Sequence, residues 1–215
     1  ASTVTTGDGA ELAVTVAGDD GAPTVVLVHG WTCNRAVWAA VARRLVLTGH
    51  RVVAYDQRGH GESTLGSAPL TVEQLGSDLG AVLEKLDVTD AVLVGHSMGG
   101  MAVQSMAIDH PGVVVDRARS LVLVSTAARF LGYAVPASVV ELVLGDWLIH
   151  RIARGSIGLV IARSAIGRGP RLAHIELTRD CLVATTAAAR VDFLVDMSAM
   201  DLRAGLGSIA LPTTV

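Results

Sequence analysis

The stretch that decides the fold is Ala91-Val92-Leu93-Val94-Gly95-His96-Ser97-Met98-Gly99-Gly100. Ala91 to Val94 is a short apolar run without polar alternation, as expected of a strand buried on both faces. Met98 to Asp109 reads as a helix that stops at His110-Pro111-Gly112. A strand passing into a helix through Gly95-x-Ser97-x-Gly99 leaves room only for a tight turn. Such a turn holds the serine in strained backbone geometry and lifts its hydroxyl above the sheet. Gly95 and Gly99 remove side chains that would collide where the turn packs closely.

Working outward, Val14 to Val16, Thr24 to His29, Arg51 to Tyr55 and Leu121 to Val124 are further runs rich in Val and Leu. Between them lie the helix-compatible stretches Arg35 to Leu47 and Thr71 to Leu86. In the second, Thr71 and Gln74 have capping-box spacing, and Val72, Leu75, Leu79, Val82, Leu83 and Leu86 follow at helical intervals. Strands alternating with helices predict an α/β protein with a mostly parallel sheet and right-handed crossovers.

Two more motifs stand at strand ends. His29-Gly30-Trp31 closes the run Thr24 to Val28, and Asp56-Gln57-Arg58-Gly59-His60-Gly61-Glu62-Ser63 follows Arg51 to Tyr55. The helix after Ser97 directs backbone N–H groups toward a developing negative oxygen, and Met98 N–H is the first expected donor. The loop at His29-Gly30-Trp31 can bring a second, from Trp31.

With these three motifs in this order, the sequence resembles the α/β-hydrolase superfamily, closely over about residues 10 to 130. The resemblance implies a sheet with helices on both faces, an antiparallel edge formed by the first two strands, and a helical cap inserted after the central strands. It also implies a Ser–His–Asp triad acting through an acyl-enzyme. Ser97 falls on the nucleophile position, with Trp31 and Met98 N–H groups as the oxyanion hole. In this superfamily the acid usually follows the strand that should begin near Pro212, and the histidine comes later, so both are expected beyond Val215. The other loop that supplies the acid in some relatives reads Ser125-Thr126-Ala127-Ala128 here, without a carboxylate.

The expected organisation is a core over residues 1–128, a helical cap over 129–207 and the start of a further core strand at 208–215. The sheet would thus lack its last strands and helices. No strand-like run is seen between Gly132 and Ala204.

The remaining polar residues read mostly as structural. His96 adjoins Ser97, but neighbours on such a turn point in different directions, so it is expected to pack. His29 and His60 belong to loop motifs, His50 and His110 to element ends, and His150 and His174 to the cap, and none is the expected base. Asp56, Arg58 and Glu62 are expected to stabilise their loop. Cys33 and Cys181 are far apart and read as free core thiols, which favours the cytoplasm while leaving secretion open. His29, Gly30, Phe130, Tyr133 and Trp147 are candidate pocket residues, with core packing as the competing reading for the aromatics.

Bulk properties narrow the function. The 215 residues fit one domain. Seventeen basic against 20 acidic residues, with no long run of either sign, argues against nucleic acid as a partner. The apolar stretches are too short to span a membrane. Neither a metal nor an organic cofactor is expected. The leading expectation is cleavage of a small, apolar carboxylic ester, thioester or lactone. Carbon–carbon bond hydrolysis, perhydrolase-like or aminopeptidase chemistry and a non-catalytic ligand-binding module are the alternatives. Serine at the elbow argues against dehalogenases and epoxide hydrolases, which carry aspartate there.

Overall fold

The computed structural model describes residues 2–153 and 155–215. Seven strands form one sheet: β1 (Ser2–Thr5), β2 (Glu11–Ala17), β3 (Thr24–Val28), β4 (Arg51–Tyr55), β5 (Ala91–His96), β6 (Ala118–Val124) and β7 (Thr213–Thr214). Their spatial order is β1-β2-β4-β3-β5-β6-β7. β1 and β2 make the antiparallel edge and the rest run parallel. The expected antiparallel edge and parallel centre are both present.

The first helical stretch begins as a 3₁₀ turn over Arg35–Trp38 before α1 (Ala39–Leu47). α2 (Val72–Lys85) and α3 (Met98–Asp109) follow β4 and β5. Pro111 does more than end α3. It occupies the first turn of a further helix, α4 (Pro111–Arg117), where its missing N–H costs nothing. Among the described residues five α-helices separate β6 from β7, α5 (Ala137–Leu144), α6 (Asp146–Ala153), α7 (Ser156–Ser164), α8 (Leu172–Ala184) and α9 (Ala187–Ala199), followed by a 3₁₀ turn over Arg203–Ser208.

The two-residue period of a strand sends alternate side chains to opposite faces. Val26, Val28, Val53 and Tyr55 face the large core under α2 and α3 with Leu79, Leu83, Val103 and Met106. Val25, Leu27, Val52 and Ala54 face α1, where Trp38, Ala42 and Leu45 cover them. Burial on both sides is why β3 reads as an apolar run from Val25 to Val28.

The connection from β3 through α1 leads to one side, to β4, whereas β5 and β6 lie on the other. The ends of β3 and β5 therefore flank the point where the winding reverses, the crevice in which open α/β sheets bind ligands. α9 belongs as much to this body as to the cap. Its Phe193 and Met197 pack with Leu75, Met98 and Met101, and Asp196 accepts the Val72 N–H at 2.8 Å, capping α2 together with Thr71. Only half of the expected capping box forms. Thr71 Oγ1 accepts the Gln74 N–H at 3.1 Å, while the Gln74 amide donates to Asp78 instead of reaching back.

Candidate active site

Ser97 lies between β5 and α3 with φ 51° and ψ −119°. A non-glycine residue held there costs about 1–3 kcal/mol and persists only where its surroundings over-determine it. Here they do. Ser97 N–H donates to Val124 O at 3.0 Å, tying the turn to the adjacent strand. A Cβ on Gly95 would lie 2.5 Å from Gly99 O, so the glycine spacing is a matter of backbone against backbone.

The Ser97 carbonyl is held from three sides. It accepts Thr126 Oγ1–H at 2.7 Å, Gly100 N–H at 2.8 Å and Met101 N–H at 3.1 Å. A trans peptide is planar, with its C=O and the following N–H opposed. Pinning this oxygen therefore aims the Met98 N–H the other way. That N–H has no acceptor among the described residues, as the first turn of a helix dictates.

The same construction occurs at the end of β3. Gly30 O accepts His29 Nδ1–H at 2.8 Å and Cys33 N–H at 3.2 Å. The Trp31 N–H on that peptide unit is left without an acceptor among the described residues. Gly30 also brings this loop against the turn, since a Cβ there would lie 2.9 Å from His96 Nδ1 and 3.2 Å from Ser97 Cβ. Trp31 and Met98 share one apolar cluster. The structure thus brings together Ser97, Met98, His29, Gly30 and Trp31.

His29 and His60 serve as fixed struts. His29 is fully buried, and its Nε2 accepts the Gln57 N–H at 2.9 Å, which assigns the proton to Nδ1. Its own carbonyl receives the Gln57 amide at 2.6 Å. His60 Nε2 accepts the Thr32 N–H at 3.2 Å, and its Nδ1–H donates to Arg58 O at 2.9 Å. The two rings meet edge to face at 5.2 Å. Burial pushes His29 down to about 4 and His60 down to about 3. With both acceptor nitrogens occupied by backbone, neither ring offers a lone pair to a hydroxyl. His96 packs edge to face on Trp38 and is also shifted down by burial. His50 and His110 bond at element ends, to Leu45 O and Ser77 Oγ.

The charged loop after β4 is an internal scaffold. Arg58, fully buried, donates to both Asp78 oxygens at 2.6 Å, to both Asp8 oxygens at 3.0 and 3.1 Å, and to Leu65 O at 3.0 Å. The guanidinium holds the Asp8 carboxyl well below the usual carboxylate range. Asp56 accepts the Arg35 N–H at 2.7 Å and the Glu62 N–H at 2.9 Å, and pairs with the Arg35 guanidinium, which also grips Glu62. Burial raises the Cys33 thiol to about 11, leaving it neutral at physiological pH.

Phe130, Tyr133 and Trp147 are not buried at this centre. Phe130 and Tyr133 are exposed in the segment after β6, and Trp147 stands exposed on α6 beside Arg151. Thr126 is the participant that the sequence reading passed over. Its signal is the register of β5 with β6, which pairs His96 with Val124 and so sets Thr126 beside the turn.

A serine at positive φ between a parallel strand and a helix, at the reversal point of a doubly wound sheet, defines the class of α/β-hydrolase-fold proteins. The family described as alpha/beta hydrolase fold matches residues 23–145, and the chain belongs to it. Among curated proteins it is similar to a non-heme chloroperoxidase of Burkholderia pyrrocinia, 37% identical over 122 residues, covering 57% of this chain and 44% of that protein. It is also similar to a bifunctional esterase/perhydrolase of Acinetobacter calcoaceticus, 38% identical over 115 residues, covering 54% and 42%. The matched segment spans less than half the length of each. An esterase structure from Exiguobacterium antarcticum superposes with TM-score 0.83 at 22% identity, over 98% of this chain and 78% of that one, a likeness of fold.

Proposed function

We propose that this protein is a serine hydrolase that cleaves a small, apolar carboxylic ester, thioester or lactone through an acyl-enzyme on Ser97. The observation that carries this reading is the pair of peptide units flanking the serine. At Gly30–Trp31 and at Ser97–Met98 the carbonyl is pinned and the N–H has no acceptor among the described residues. Two donors fixed in advance stabilise a tetrahedral oxyanion without reorganising during the reaction, commonly the largest single contribution to such catalysis. In the step proposed, Ser97 Oγ bonds to the substrate carbonyl carbon and its proton passes to a general base. The electron pair of the C=O moves onto the oxygen facing Trp31 and Met98. Collapse breaks the bond to the alcohol, thiol or ring oxygen, which takes the proton from the base; water then attacks the acyl-enzyme, releasing the acid and restoring the Ser97 hydroxyl. His29 and His60 are positioning residues in this scheme. They are poor bases because each acceptor nitrogen is already bonded.

A second reading uses the same acyl-enzyme. Hydrogen peroxide in place of water would release a peracid, and the curated relative described as a bifunctional esterase/perhydrolase favours testing it.

The test is labelling of the full-length protein with a fluorophosphonate, which phosphonylates an activated serine. Labelling of the wild type and its loss in Ser97→Ala are expected, with the circular-dichroism spectrum unchanged. Persistent labelling of the variant overturns the assignment of Ser97. A folded wild type that never labels, yet binds esters, is the outcome of the non-catalytic alternative.

A further inference from the structure

We infer that the outer surface of the cap formed by α6, α7 and the start of α8 is a docking surface for an anionic lipid bilayer, on which the protein lies without spanning it. The first observation is charge. Residues 147–174 hold five of the chain's 17 basic residues, Arg151, Arg154, Arg163, Arg168 and Arg171, and none of its 20 acidic ones. A chain of net charge −3 thus carries one strongly basic stretch.

The second observation is that these charges are unspent. Nine arginines elsewhere in the molecule pair with carboxylates. Among the described residues, Arg151, Arg163, Arg168 and Arg171 pair with none, and all four are exposed. Asp146, the acid that just precedes the stretch, is occupied by Arg190. Arg190 is itself fully buried and also donates to Leu144 O, Leu182 O and Thr185 O, knitting the cap helices together.

The third observation is what lies between the charges. Trp147 is 77% exposed, Ile157 63%, Val160 68% and Leu172 61%. The cap does not need them for its own core. α6 and α7 turn Ile149, Ile152 and Gly158 inward around an apolar cavity of about 210 Å³. On α7, Ile157 and Val160 point away from the buried Gly158 and Ala162, while Ile161 joins the cavity lining. The Arg151 guanidinium sits 6.0 Å from the Trp147 ring, so aromatic and charge are presented together.

Aliphatic side chains and a tryptophan interleaved with arginines are the composition of a surface that sinks into the headgroup and acyl boundary. The arginines select anionic headgroups and the tryptophan suits the interfacial layer. An acidic protein or a nucleic acid would use the arginines and leave Ile157, Val160 and Leu172 in water. Among the described residues no helix is long and apolar enough to cross a membrane.

The experiment is co-sedimentation of the full-length protein with vesicles of phosphatidylcholine, with and without phosphatidylglycerol. Binding to the anionic vesicles alone is expected, weakening as salt is raised. Each arginine near an anionic surface contributes about fivefold to partition, so Arg151→Gln/Arg168→Gln/Arg171→Gln should lose on the order of 100-fold. Arg43→Gln/Arg44→Gln, which removes exposed arginines on α1, should lose nothing. Tryptophan emission should shift to the blue on vesicle addition, and Trp147→Phe should abolish the shift. Thermal unfolding checks that each variant is folded. The inference is overturned if folded wild type stays in the supernatant at low salt, or if the triple variant sediments as well as wild type. It is equally overturned if RNA or heparin is bound while anionic vesicles are not.

Discussion

Thr126 Oγ1 donates to the Ser97 carbonyl across 2.7 Å, joining the loop after β6 to the turn after β5. The serine's strained conformation is thus braced by a neighbouring strand as well as by its own helix. Removing the hydroxyl with little change of shape, Thr126→Val, leaves Gly100 and Met101 N–H as the remaining donors to that oxygen. The expected cost in stability is about 1 kcal/mol. If the Met98 N–H stabilises the transition state, kcat should fall with KM nearly unchanged. Denaturant unfolding and steady-state ester hydrolysis check the two parts.

Ser97→Gly separates strain from chemistry. Glycine takes φ 51° without penalty, so relief of the strain should outweigh its greater unfolded-state entropy. The variant should be as stable as wild type or more so, by up to about 1 kcal/mol, and inactive toward esters. Ser97→Ala keeps the strain and should match wild type in stability. Urea midpoints of the three proteins decide it, and a Ser97→Gly protein several kcal/mol less stable would show that the turn is unstrained.

Arg58 is the most heavily bonded side chain of the core. Asp78→Asn leaves the guanidinium short of the fully buried one of its two carboxylates. Breaking a buried pair from one side costs about 3–5 kcal/mol, so this variant should show a large fall in thermal midpoint. Arg43→Gln on exposed α1 should change it little.

Acid should unfold the protein earlier than its carboxylates alone would dictate. His29 and His60 sit below their ordinary value in the folded state, near 4 and 3, because burial disfavours the charged ring. The unfolded chain takes up protons near pH 6.5 and the folded one does not. Their contribution is therefore complete above about pH 6.5 and is lost as pH falls toward 4 and then 3. Stability measured by urea unfolding should decline over that window. A profile flat between pH 6.5 and 4 would mean that these rings are solvated.

Much of the architecture was legible because burial writes itself into the chain. The apolar runs Val25–Val28 and Ala91–Val94 announce central strands, and the glycines around Ser97 announce a turn with no room for side chains. What escaped depends on partners distant in sequence. Thr126 reaches the site only through the β5–β6 register. Gln74 has the residue type for a reciprocal cap but finds Asp78 a better partner. Pro111 signals a stop in the sequence, yet the proline that ends one helix is also suited to begin another. The arginines of 147–174 are spaced too widely to form a run, and the packing of α6, α7 and α8 on one another is not written in their spacing.

The Gly30–Trp31 peptide unit has a bearing on how readily this protein could change its preferences. Its N–H is aimed by atoms of His29, Gly30 and Cys33, none of which belongs to the Trp31 side chain. Any residue but proline at position 31 keeps that donor. The half-buried Trp31 side chain is therefore open to replacement in a way that Met98, locked into the core, is not. A library at position 31 can vary that side chain while the direction of the N–H stays constant.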